Sequence, residues 1–142
     1  MSSLPPDPSG ANAPARAVSP ISEPSATALR DALRACRRQA LFCAEACMAL
    51  PTAGARELRW IRLLSDCADC CQTCVALLEG STPTAPAKGA MRTQLLVCVE
   101  ICQIAIDDYA PQGGPGCDEC RAACERCAGL CRQVLALLPA DE

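Results

Sequence analysis

From Leu29 onward the apolar positions return every three or four residues, as Leu29, Leu33, Cys36, Ala40, Cys43 and Cys47, with polar and charged side chains filling most of the steps between. A mean spacing of about 3.5 stays nearly in phase with the 3.6 residues of a helical turn, so these positions share one stripe of a helix. The same rhythm runs through Cys67, Cys70, Cys71 and Cys74, through Cys98 and Cys102, and through Cys117, Cys120, Cys124, Cys127 and Cys131. No segment shows the strict alternation of a half-buried strand.

Prolines mark where these stripes stop. After Pro24 the next are Pro51, then Pro83 and Pro86, then Pro111 and Pro115, then Pro139. The intervals predict helices at about 25–50, 54–79 with Gly80 as its stop, 89–110 and 116–138. Short connections between helices of matched length predict an all-α fold, an antiparallel up-down-up-down four-helix bundle with a cysteine-lined core. The first two dozen residues hold six of the twelve prolines and no apolar run longer than two. Residues 1–24 therefore read as a disordered arm, and 25–142 as one bundle domain.

Folding the chain back at each connection tests whether the stripes meet, because residues equidistant from a turn lie at the same height. Reflection about the loops brings Cys36 level with Cys67 and Cys70, then with Cys98 and Cys102, then with Cys124 and Cys127. Cys43 and Cys47 fall level with Cys117 and Cys120. Beyond Cys74 and Cys131 the stripes continue as Leu29, Leu33, Leu77, Leu78, Leu95, Leu96, Val134, Leu137 and Leu138, which predicts an apolar plug at one end. Met91 belongs to core or surface.

Composition sharpens this picture. Hydrophobic residues make up 51% of the chain, yet Phe42, Trp60 and Tyr109 are its only aromatics, so the core is built from small side chains. A net charge of −3 and a pI near 5.0 offer no basic surface for nucleic acid. No secretory or twin-arginine signal pattern is present, and no run approaches the roughly eighteen apolar residues of a membrane span. The expected location is cytoplasmic, with no membrane partner.

Fourteen cysteines in a reducing compartment point to metal or redox chemistry rather than to a disulfide scaffold. Bonds between cysteines one helical turn apart would close loops of only about three or four residues and cross-link almost nothing. Buried cysteine can also serve simply as a small hydrophobe. That reading suits one or two positions better than fourteen on the inward face.

Thiolates at these spacings have Cβ atoms about 5–6 Å apart, a gap one metal ion bridges. Zinc prefers closed four-ligand sites, commonly with histidine, of which the chain has none. Iron–sulphur clusters need more room than a narrow bundle offers. Soft, singly charged Cu(I) suits thiolates and needs only two of them. The candidate ligands are Cys36, Cys43, Cys47, Cys67, Cys70, Cys71, Cys74, Cys98, Cys102, Cys117, Cys120, Cys124, Cys127 and Cys131, with Met48 as an accessory thioether. Asp66, Asp69, Asp107, Asp108, Asp118 and Glu119 read as solvated faces or helix-start charges, since hard carboxylates suit Cu(I) poorly.

The segments "CAEACMAL", "CADCCQTC" and "CDECRAACERCAGLC" resemble the bacterial copper storage proteins over about residues 29 to 138. The resemblance implies a four-helix bundle holding multiple Cu(I) ions along its axis by thiolate pairs, a homo-oligomer such as a dimer or tetramer, and a cytosolic location. Copper donor or acceptor proteins are the further partners to expect, and no catalytic role is expected. The chain departs from that family in having no histidine near the bundle mouth. Two other classes remain. One is a thiol oxidoreductase using Cys117 and Cys120, for which no strand pattern exists; the other is a zinc-binding or redox-sensing thiol protein acting through a partner. Under the storage reading copper is expected to enter at the end carrying Cys43, Cys47, Met48, Cys117 and Cys120, where the start of the fourth helix favours thiolate.

Overall fold

The computed structural model describes residues 23–80 and 85–138, and residues 1–22 of the expected arm lie outside the described residues. Four long helices follow in order: α1 (Glu23–Met48), α2 (Ala55–Gly80), α3 (Ala85–Ile104) and α4 (Cys117–Leu137). Between α3 and α4 the chain passes through a π-helical turn (Ala105–Tyr109) and a short 3-10 turn (Ala110–Gln112). No strand occurs among the described residues, and the bundle expected from the stripes is the fold observed.

Helix boundaries differ from expectation where prolines were read as hard limits. Pro24 lies in the first turn of α1 and Pro86 in the first turn of α3. A first-turn backbone N–H has no partner within its helix, so proline is tolerated there and the helix begins before it. Pro51, just past α1, acts as the expected stop. At the start of α2 the Glu57 carboxylate accepts a hydrogen bond from the Gly54 backbone N–H at 2.8 Å, and Arg56 pairs with it at 3.0 Å. These contacts satisfy a helix-start donor and hold the Glu57 carboxyl below its usual range, the Gly54 bond being the largest cause.

Each helix packs against two neighbours, α1 on α2 and α4, and α3 on α2 and α4. The diagonal pairs α1–α3 and α2–α4 do not approach through their backbones among the described residues. The interior is therefore a four-walled column filled by side chains alone. Gly89–Gln112 has the length and mean hydropathy, 1.3, of a membrane span, but its inner face supplies Leu95, Cys98 and Cys102 to this column.

Leu29, Leu33 and Leu95 are fully buried, and Met91 is also part of the core. Leu77, Leu78, Val134 and Leu138 are half-buried against it. Leu96 and Leu137, expected in the same plug, are instead 49% and 57% exposed. Successive helical residues point about 100° apart, so Leu95 and Leu96 cannot both face inward.

Candidate metal centre

Thirteen of the fourteen cysteines are buried, and Cys117 is half-buried. The column's centre is Cys36. Its Sγ lies 3.8 Å from Cys67 on α2, 3.9 Å from Cys102 on α3 and 3.8 Å from Cys124 on α4. Helices α1 and α3 face each other diagonally, so the Cys36–Cys102 contact spans the bundle interior. The height matching made from the loops thus places four helices' thiols at one level, as expected.

Four groups have their sulphurs within 4.8 Å of one another: Cys36, Cys67, Cys102 and Cys124; Cys36, Cys71 and Cys127; Cys70, Cys74 and Cys98; and Cys98, Cys127 and Cys131. Cys36, Cys98 and Cys127 each belong to two groups, so neighbouring groups share sulphurs. Further contacts of 3.9 Å join Cys71 to Cys98 and Cys98 to Cys127. Near the leucine end the side-chain amide of Gln94 donates to Cys70 Sγ at 3.1 Å, and Cys74 donates to the Gln94 carbonyl at 3.7 Å.

The remaining four cysteines, Cys43, Cys47, Cys117 and Cys120, join none of these groups. They occupy the opposite end. Cys120 reaches Cys124 at 4.0 Å and so connects this end to the central group. Cys43 accepts from the Gln39 amide at 3.5 Å and donates to the Gly116 carbonyl at 3.6 Å. Cys117 opens α4 at the surface, 3.9 Å from the Asp118 carboxylate. Met48, the proposed accessory ligand, is the last residue of α1 and is 58% exposed; it is not brought to the thiols. The carboxylates of Asp66, Asp69, Asp107, Asp108, Asp118 and Glu119 are all on exposed residues.

Sequence reasoning missed two residues at this end. Tyr109 is completely buried, and its ring meets Trp60 edge-on with centroids 5.1 Å apart. Its hydroxyl donates to the Pro115 carbonyl and accepts from Cys47 Sγ at 3.9 Å. The expected way in is thus covered by an aromatic pair. The only available signal was position: both aromatics stand beside the helix ends flanking Cys47 and Cys117.

Hydrogen bonding among the thiols divides them by proton affinity. Hydrogen bonding with Cys102, Cys124 and Cys36 lowers the Cys67 thiol, and hydrogen bonding with Cys102, Cys127 and Cys131 lowers Cys98. Cys124 and Cys43 lower Cys120. Other thiols shift the opposite way: Cys102 is raised by its bonds to Cys124 and Cys127, and Cys131 by its bonds to Cys127 and Cys98. A thiol network of this kind lends each forming thiolate several S–H donors in a site with little water.

Buried, free thiols stacked at bridging distances along a helical bundle define a soft-metal-binding protein of the thiolate-lined four-helix class. The copper storage protein profile matches residues 22–136, and the chain belongs to the copper storage protein family. Among solved structures, that of a cytosolic copper storage protein from Streptomyces lividans with five coppers is 28% identical, with a TM-score of 0.71 over 80% of this chain and 93% of that one. The Streptomyces lividans copper storage protein Ccsp loaded with 10 copper equivalents is 26% identical, with a TM-score of 0.73 over 83% of this chain and 89% of that one. A histidine-to-alanine variant of Ccsp from the same organism is 27% identical, with a TM-score of 0.72 over 82% of this chain and 96% of that one. No curated protein sequence matches significantly.

Proposed function

We propose that this chain stores Cu(I) in the cytosol, using all fourteen cysteines as ligands and without catalysing a reaction. The observation that carries this reading is Cys36, whose sulphur stands within 3.9 Å of a sulphur from each of the other three helices. Each ion replaces thiol protons: RSH and Cu⁺ give RS–Cu and H⁺, and a second sulphur completes the roughly linear pair that Cu(I) accepts. Its kinship with a Streptomyces protein described as cytosolic supports the location.

Charge balance favours sharing of sulphurs. Among the described residues the only buried charged side chain is Glu57. An isolated Cu(I) held by two thiolates carries a negative charge that nothing in the column offsets, and such burial is costly. When each sulphur bridges two ions, the ratio approaches one copper per sulphur and the charge approaches zero. Capacity on this argument lies nearer about fourteen ions per chain than the roughly seven of unshared pairs.

All fourteen cysteines fall between residues 36 and 131, so we assign storage to the 25–142 domain and none of it to residues 1–24. Exposed Leu58, Val97 and Ile104 on the outer faces of α2 and α3 support self-association as a dimer or tetramer. The thiol-rich end supports exchange with a copper donor or acceptor protein. Native mass spectrometry of the reduced chain, loaded anaerobically with either metal, tests the reading against the zinc alternative. Storage predicts a long ladder of Cu(I) adducts and few zinc adducts; a closed zinc complement with little copper would reverse the assignment.

A further inference from the structure

We propose that Tyr109, with the Gly113–Gly116 loop it ties down, forms a gate over the thiol column that sets how fast Cu(I) enters and leaves without changing how much is held. The inference rests on the storage reading and supplies the element that controls access.

One hydroxyl joins three parts of this end. Tyr109 donates to the carbonyl of Pro115 in the loop, accepts from Cys47 at the end of α1, and belongs to the π-helical turn that follows α3. Its ring is braced by Trp60 on α2.

The loop itself lies directly on the ring and on a thiol. A Cβ built on Gly114 would sit 2.6 Å from the Tyr109 ring, and one on Gly116 would sit 2.9 Å from Cys43 Sγ. The Gly116 carbonyl also accepts from Cys43 and from the Cys120 backbone N–H at 2.8 Å. An ion can reach Cys43 or Cys47 from this side only after the loop lifts. Gly113 and Gly116, at φ 74° and 67°, flank the segment with left-handed backbone that glycine adopts without strain, a fitting pair of pivots.

The cysteines are graded to match. Cys117 is half-buried at the loop's edge, Cys43 and Cys120 lie beneath it, and Cys120 contacts Cys124 of the central group. These end thiols join no group of three, so an ion there meets fewer sulphurs than in the interior and passes inward by exchange from one thiolate to the next. The other end is filled by Leu29, Leu33 and Leu95 and offers no comparable series.

Tyr109→Phe keeps the ring and removes the tether. Loss of one hydrogen bond predicts loading from a Cu(I) chelate, and removal by excess chelator, each about three- to tenfold faster at unchanged capacity. In the copper-free chain, alkylation mapped by mass spectrometry should rise similarly at Cys43 and Cys47 and stay unchanged at Cys36, Cys71 and Cys98. Leu33→Val, which loosens the opposite end, should lower the melting temperature and leave these rates alone. Wild-type rates and alkylation in Tyr109→Phe, or equal acceleration by Leu33→Val, would overturn the gate. Failure of the storage reading shows separately, as low capacity in the unmodified chain, and the alkylation measurement tests the gate without copper.

Discussion

The sulphurs of Cys36 and Cys102 lie 3.9 Å apart although the helices that carry them, α1 and α3, face each other across the bundle diagonal. Only side chains reach this contact, so the thiols themselves fill the interior. A cysteine here does the packing work of a core residue and remains a ligand.

That dual role predicts a folded metal-free chain. Leucines at one end, the Trp60–Tyr109 pair at the other and close-packed thiols between them bury apolar surface with no ion present. Far-UV circular dichroism of the reduced, copper-free protein should show a helical bundle with cooperative unfolding, unlike a zinc finger. A disordered chain that gains helix only on adding copper would contradict this.

Position in the column should decide how much each cysteine contributes. Every group of three or more sulphurs contains either Cys36 or Cys98, whereas Cys47 and Cys117 belong to none. The double variant Cys36→Ser/Cys98→Ser should therefore lose about twice as many Cu(I) ions as Cys47→Ser/Cys117→Ser, on the view that interior sulphurs bridge more ions. Metal analysis after desalting reads the difference. Equal losses would argue against denser sharing of sulphurs in the interior than at the end.

Copper retention should weaken in acid. Cys102 and Cys131 have thiol pKa values raised by hydrogen bonds to their neighbours, so binding must displace protons that these sulphurs hold tightly. Apparent affinity then falls as pH falls, by about tenfold per unit for each proton displaced. Competition against a chelator of known pH dependence measures the slope, and a flat profile would refute proton displacement.

Stability of the copper-free chain should respond to Glu57. Its carboxyl is held below the ordinary value of 4.5 by the Gly54 N–H and Arg56. A depressed folded-state pKa contributes stability that is fully present above the unfolded value and is lost as pH falls through the folded one. Melting temperature should drop more steeply below pH 4.5 in the wild type than in Glu57→Gln, which starts lower at neutral pH. Parallel curves would show that the carboxylate contributes nothing.

Much of this architecture is legible in the chain because a cysteine stripe at three-and-four spacing has one geometric solution. The reflection that levels Cys36 with Cys67, Cys102 and Cys124 needs only loop positions and helical rise, both readable from prolines and period. The leucine plug was less legible, since Leu96 and Leu137 stand next to Leu95 and Leu138, and a stripe wide enough to include both neighbours overcounts the inner face. Tyr109 escaped because the turn from Ala105 to Tyr109 widens to π-helical geometry, which leaves no periodic trace, and its partner at Pro115 lies in a loop without a stripe. Met48 illustrates the opposite error: adjacency to Cys47 in sequence turns it away from Cys47's face by the same 100° step.

Anaerobic titration of the fully reduced chain with Cu(I), in the presence of a competing chelator, tests storage most directly. The shared-sulphur column predicts retention of about fourteen ions per chain, and no fewer than the roughly seven that unshared thiolate pairs would hold. Saturation at one or two ions would contradict storage and leave the thiol column without the function assigned to it.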